Sequence, residues 1–274
     1  MCIRDRIYDC FSYWDEDLLL DVRLNIMSKF VDYFVIVEGN KTWQNNSKKL
    51  RFDVNKFKKF KDKIIYVPVE DMPGGDNPYE RENFQRNCIS RGIKDAEDID
   101  LILISDLDEI PNPFLIKCFD IRKRYAVFEQ KLYYYKFNLQ SITQPFWYGS
   151  RICVKKFLKS PQWLRNLKFR KRPWWRIDKL RLNHILENGG WHFCNLKDSD
   201  ELLYKYKNMC ETNDPYIFKE KIDPKYLDIK EIEKSIKSGV DLIGRGHRYK
   251  KVEIDENYPK YIFENYNKFK NWII

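Results

Sequence analysis

The pattern of apolar and polar positions divides the chain into two stretches of different rhythm. In the first, compact apolar runs recur at 7–13, 33–37, 64–69 and 101–104. Short runs rich in β-branched and aromatic residues, bounded by polar turns, read as buried strands. Between the first two, Leu18, Leu19, Val22, Ile26 and Phe30 follow helical spacing. Asp15, Glu16 and Asp17 precede them, where acids favour a helix amino terminus. A basic helix is expected around 54–60, and another helix over 79–93 after a loop rich in Pro and Gly. Strand, helix, strand, helix, strand, helix, strand predicts a parallel, doubly wound sheet with right-handed crossovers.

After Pro113 the rhythm changes. Residues 125–129 and 132–137 read as strands with no room for a crossover helix, so antiparallel pairing is expected. Another strand is expected over 148–154, and Gly189 and Gly190 lead into a short strand ending at Phe193. Residues 199–209 form an amphipathic helix with Ser199 as candidate cap, and helices follow around 229–236 and 259–268. There is no internal repeat and no low-complexity linker.

The chemistry concentrates where the run 101–104 ends. Ser105, Asp106, Leu107, Asp108, Glu109, Ile110 and Pro111 follow without a break. Three carboxylates cannot share the core of that strand, because a buried unpaired carboxylate is too costly. They belong at its carboxyl end, where open α/β sheets bind ligands. On an extended backbone Asp106 and Asp108 share a face. Two carboxylates held together call for a cation, and oxygen ligands suit Mg²⁺ or Mn²⁺. An ion held by one or two carboxylates keeps positions for phosphate oxygens, which points to a metal-bound diphosphate. A lone D-x-D is a weak signal; the buried strand before it and the Glu-Ile-Pro after it strengthen it.

Composition narrows the picture. With 274 residues the chain can bury a sizeable core, and its net charge of +10 favours an anionic partner. Seven cysteines without a C-x-x-C pair indicate neither a disulfide framework nor a zinc site. Reduced thiols suit a cytoplasmic location. No run reaches transmembrane length and no secretory signal is evident, so the sequons at Asn40 and Asn45 carry no weight. The abrupt start, Met1 to Arg6, leaves completeness of the amino terminus open. A segment from Lys155 to Arg181 is dense in Lys and Arg, with Trp163, Trp174 and Trp175 among them. For the stretch around Lys168 to Arg181 the readings are peripheral docking on an anionic membrane, binding of a phosphorylated glycan, or a solvated loop with its tryptophans tucked inward.

Together these residues resemble glycosyltransferase family 17. The matching pieces are 7–11, 34–40, 105–111 and 190–193, with a weaker match at 241–245 and 259–261. At 208–211 the family usually carries a His before an acid, and this chain has none. The resemblance implies a GT-A-type nucleotide-diphospho-sugar transferase fold, with a central mostly parallel sheet, antiparallel additions and helices on both faces. It implies a UDP-sugar donor, UDP-GlcNAc, and a glycan acceptor. We read 1–274 as one domain, with a nucleotide-sugar half at 1–113 and an acceptor half with a helical tail at 114–274.

Inverting transfer needs a neutralised leaving diphosphate and a carboxylate base beside the attacking hydroxyl. Asp108 is expected as a metal ligand, Asp106 as a ligand or a partner of ribose and bound water. His192 is either a third ligand or a packed histidine. Glu38 is expected to face the nucleotide or cap a turn, the donor lying between the ends of the second and fourth strands. Arg81 and Arg86 approach uridine or phosphate, or form a solvated helix face. Arg245, His247 and Arg248 close over the diphosphate or are plain surface charge. The base is Glu187 or Glu211, with Glu129 a further acid and Asp198 and Asp200 placed at a helix start. Two rival classes are a phosphohydrolase with a nucleophilic Asp, disfavoured because the motif follows the fourth strand, and a basic nucleic-acid or membrane-surface binding protein. The second leaves the acids unexplained, and no nucleic acid is expected as partner.

Overall fold

The computed structural model describes residues 6–168, 184–211, 228–243 and 245–274. The expected strands form β1 (Ile7–Ser12), β2 (Tyr33–Gly39), β3 (Ile64–Val69) and β4 (Leu101–Asp106), with helix α1 (Asp17–Met27) after β1. Between β3 and β4 the expected helix is two, α2 (Pro78–Asn87) and α3 (Ile89–Gly92). The segment expected as a basic helix is a 3-10 stretch, Val54–Lys63, broken at Phe57. These strands pair in parallel in the order β3-β2-β1-β4.

The rest of the chain adds β5 (Glu109–Pro111), β6 (Tyr125–Phe128), β7 (Gln130–Tyr134), β8 (Leu139–Ser141), β9 (Phe146–Trp147) and β10 (Arg151–Val154). Then come α4 (Pro161–Asn166), β11 (Ile185–Leu186), β12 (Gly190–Cys194), α5 (Ser199–Asn208), α6 (Ile229–Ser238), β13 (Tyr249–Lys251), α7 (Lys260–Glu264) and α8 (Tyr266–Phe269). β10 joins β4 antiparallel, and β6 and β11 complete a seven-stranded sheet. A second, six-stranded sheet runs β13-β8-β7-β12-β5, with β9 beside β7. The expected antiparallel pair at 125–137 does not form. β6 belongs to the first sheet and β7 to the second, because Glu129 between them is where the chain changes sheet.

Alternation along the strands separates the layers. Phe11, Phe34, Ile36, Leu101 and Leu103 face one core with Leu20 and Leu24 of α1. Cys10, Val35, Val37, Ile102 and Ile104 face another with Ile89 of α3 and Leu164 of α4. Helices therefore cover both faces, which lets β2 and β4 be apolar along nearly their whole length. The first core continues into the second sheet through Tyr133, Phe137 and Phe193. On that sheet's other face, Leu132 and Tyr134 pack with Leu202 and Tyr206 of α5 and Ile232 of α6. α5 is capped by Asp198 with Glu201 in a reciprocal capping box, one residue earlier than the expected Ser199. Among the described residues no helix is long and apolar enough to cross a membrane.

Candidate active site

Strand order reverses between β1 and β4, since β2 and β3 extend to one side of β1 and β4 lies on the other. At such a switch point the loops after the two strands part and leave a crevice. A cavity of about 300 Å³ occupies it, lined by Ser12, Tyr13 and Trp14 after β1 and by Asp106, Asp108 and Glu109 after β4. The expected cleft between the ends of β2 and β4 took those strands as neighbours; β1 runs between them, and the cavity opens past β1 and β4 with Trp43 of the loop after β2 in its lining.

A buried arginine fixes the acidic turn. Arg23 of α1 is fully buried and pairs with both carboxylate oxygens of Asp9 on β1, at 2.6 and 2.9 Å. Its Nη1 also donates to the carbonyls of Asp106, Leu107 and Glu109 at 3.0, 3.1 and 2.9 Å, and its Nη2 to Ser105 Oγ at 2.5 Å. One guanidinium thus ties the ends of β1 and β4 together and holds the turn's carbonyls inward. The carboxylates are then free to face the other way.

The three acids have different surroundings. Asp106 Oδ1 accepts from Arg86 Nη2 at 3.1 Å, and Oδ2 accepts from Arg165 Nη2 at 2.8 Å. Burial raises the pKa of Asp106, but Arg165 and Arg86 outweigh it and hold the carboxyl well below its ordinary value. Its side chain is still 39% exposed, so a ligand can reach it. Glu109 is sealed in, accepting from Trp147 Nε1 at 2.6 Å, from both terminal nitrogens of Arg165 at 2.7 and 3.0 Å, and from the Asp106 amide at 3.0 Å. It braces the turn. Asp108 faces His192, with Oδ1 3.4 Å from Nε2. Burial opposes charge on Asp108, and His192 overrides it and lowers the pKa.

β12 delivers His192. It pairs antiparallel with β5, setting His192 opposite Glu109, and the Phe193 amide donates to the Asp108 carbonyl at 2.9 Å. Gly190 starts the strand at φ +124°, and a Cβ there would lie 2.2 Å from the Ile110 carbonyl oxygen, so glycine is required. His192 and Cys194 share one face of β12. Their ligand atoms and that of Asp108 lie within 4.8 Å of one another, a group that could hold a metal ion. Burial lowers the His192 pKa, but Asp108 raises it well above the ordinary value.

The cavity gathers some expected residues and leaves out others. Arg86, Asp106, Asp108, His192, Glu211, Arg245 and His247 line it. Glu38 does not: fully buried, it accepts from the Lys48 ammonium, the amides of Arg51 and Phe52 at 2.8 and 3.0 Å, and the Tyr66 hydroxyl at 3.0 Å. It organises the loop after β2 and does not face the cavity. Arg81 is likewise turned away, donating to the carbonyls of Trp43 and Gly75, both at 2.6 Å. It supports Trp43, which does line the cavity. Glu187 is exposed and outside the lining, and Glu129 accepts from the Tyr148 hydroxyl at 2.6 Å. Asp198 caps α5 and Asp200 sits in its first turn, and Arg248 is exposed outside the lining. Residues 169–181 of the basic segment, with Trp174 and Trp175, lie outside the described residues.

Sequence reasoning missed four contributors. Arg23 lies next to Val22 in the helical pattern of 18–30, which gives no sign of its partners. Arg165 counted only as part of a basic surface stretch. Lys205 of α5 lines the cavity, where burial lowers its pKa but Asp108, ahead of Cys194, raises it further. Cys194 was one of seven thiols; the signal that marked it was the His-x-Cys spacing on a strand.

Parallel strands, a reversal of strand order and a charged cavity at their carboxyl ends define an α/β protein built to bind a ligand at the sheet edge. The chain belongs to glycosyltransferase family 17, whose model matches residues 2–271. It is similar to the beta-1,4-mannosyl-glycoprotein 4-beta-N-acetylglucosaminyltransferase of Rattus norvegicus, 25% identical over 300 residues covering 97% of this chain and 54% of that protein. The protein of the same name from Homo sapiens is 25% identical over 299 residues, covering 96% and 54%. The chain spans about half the length of these relatives.

Proposed function

We propose that this chain is an inverting, metal-dependent glycosyltransferase of GT-A type that moves GlcNAc from UDP-GlcNAc to a glycan hydroxyl. The observation that carries the reading is the position of Asp108 and His192 in a cavity at the β1–β4 switch point, with Arg86, Lys205 and Arg245 lining the same space. The relatives' names supply the sugar and the class of acceptor. Asp108 and His192 would hold the ion, and their spacing with Cys194 fits one. A divalent ion bound there, Mn²⁺ or Mg²⁺, would supply charge neutralisation for the departing diphosphate.

The chain's own groups do the rest. Arg86 sets the Asp106 carboxylate at the mouth of the cleft, where it can accept from a ribose hydroxyl. Lys205 adds positive charge beside Asp108. Trp14 and Trp43, in edge contact at 5.7 Å, offer apolar faces for the base or a sugar ring. Between the two expected bases, the cavity favours Glu211. Burial raises its pKa from the ordinary 4.5, with Glu82 adding to the rise. That moves it toward the range where a carboxylate accepts a proton efficiently near neutral pH.

The test is incubation with UDP-GlcNAc, an N-glycan acceptor and a divalent ion, followed by UDP release and product mass. Transfer that disappears in Asp108→Asn, with the far-ultraviolet spectrum unchanged, supports the reading. Absence of donor binding and hydrolysis across UDP-sugars, or full activity in Asp108→Asn, overturns it.

A further inference from the structure

We propose that the ion site of this chain is a mixed nitrogen, sulfur and oxygen site, in which the Cys194 thiolate binds the metal beside His192 and Asp108. The proposal deepens the functional reading, on which it rests only for the use made of the ion. Three observations carry it. The first is proximity: the three ligand atoms lie within 4.8 Å of one another. Atoms held about 2.0–2.3 Å from one ion can be no more than about 4.6 Å apart, so little movement closes the set. The second is the orientation of the ring. His192 is 7% exposed and turns its Nε2 to within 3.4 Å of Asp108 Oδ1, so two of the three ligand groups already face each other. The third concerns Asp106. Each of its oxygens already accepts from a guanidinium, Arg86 or Arg165, so it offers a divalent ion a less free carboxylate than Asp108 does.

The donor set has a chemical consequence. Thiolate and imidazole favour Zn²⁺ and Co²⁺, whereas Mg²⁺ demands oxygen and keeps its waters. On binding, the S–H bond of Cys194 breaks, its proton passes to solvent, and a sulfur–metal bond forms; nothing is oxidised or reduced. His192 and Cys194 are two apart on β12, so both reach the ion from one strand. The Phe193 amide between them is anchored to the Asp108 carbonyl at 2.9 Å, which holds strand and turn in register.

Co²⁺ titration of the full chain, kept reduced with a non-thiol phosphine, reads the site without reference to activity. A thiolate-to-cobalt charge-transfer band should grow to one equivalent. It should vanish in Cys194→Ser and persist in Cys118→Ser, whose thiol is exposed. Cys194→Ser should also weaken Zn²⁺ binding by at least about 10-fold, the lower end of what even outer partners of a metal site contribute. No band in the parent, a band that survives in Cys194→Ser, or Mg²⁺ displacing Co²⁺ at equal concentration each overturns the proposal. A band that follows Cys194 without any sugar transfer leaves this site standing and removes the functional reading. Transfer supported by Mg²⁺ with no thiolate band does the reverse.

Discussion

Replacing Arg23 with methionine tests how the acidic turn is held. Arg23 and Asp9 have no solvent exposure, and the pair is the junction between α1, β1 and the end of β4. Removing one partner of a buried ion pair costs about 3–5 kcal/mol, because the remaining charge has neither water nor counterion. The carbonyls of Asp106, Leu107 and Glu109 lose a charged donor as well. These losses overlap, so the expected cost is about 4 kcal/mol, within that range. Against a total stability of about 5–15 kcal/mol, such a loss brings the chain close to unfolding. Urea denaturation followed by far-ultraviolet circular dichroism measures it. Combining Arg23→Met with Asp9→Leu removes both charges and should recover at least half of the loss, since well-packed apolar replacements of a buried pair are often near neutral. The recovered double variant should still turn over slowly, because the carbonyls of the acidic turn lose the guanidinium that holds them inward and so sets the direction of the Asp106 and Asp108 side chains. A single variant costing less than about 1 kcal/mol, the value of an exposed pair, would refute the reasoning. So would a double variant no more stable than the single.

Gly190→Ala should lower stability by about 1–3 kcal/mol, the strain of a side chain in a left-handed backbone, and the clash with the Ile110 carbonyl should displace His192; an unchanged melting temperature would contradict this. Glu211→Gln should lower kcat by roughly 10²–10⁴ if Glu211 is the base. A base must be ionised, so kcat/KM of the parent should rise with pH through a limb above 4.5, the direction in which burial moves Glu211, and the limb should vanish in the variant. Persistence of the limb in Glu211→Gln assigns it elsewhere. Arg165→Met should cost about 3 kcal/mol in urea, because Glu109 is fully buried and would lose its guanidinium; stability equal to the parent's would show that Trp147 and the Asp106 amide suffice.

Much of this was legible in the sequence, and the boundary has a physical cause. The runs at 33–37 and 101–104 specified strands because burial on both faces leaves almost only apolar side chains there, whereas 64–69, at the sheet edge with Pro68 exposed, was marked by its β-branched residues. The acids after Leu103 and Ile104 specified the carboxyl edge because charge cannot continue into the core. Motif order and the His beside Gly190 gave the family. What the sequence could not carry is which distant segments become neighbours. β1 lies between β2 and β4 through pairings of residues far apart in the chain, and no local period encodes that choice. β6 and β7 adjoin in sequence yet enter different sheets. The same holds for charge. Glu38 stands at a strand's carboxyl end as Asp106 does, but Lys48 and the backbone of the following loop enclose it while Asp106 stays reachable. Arg23 and Arg165 read as two more positive charges among many, and only packing turns one inward to Asp9 and the other to Glu109. Cys194 carries only its His-x-Cys spacing as a local sign, which does not reveal Asp108 as a neighbour. Strand pairing places it beside His192 and Asp108, because the tertiary fold alone sets distances between residues that the chain separates.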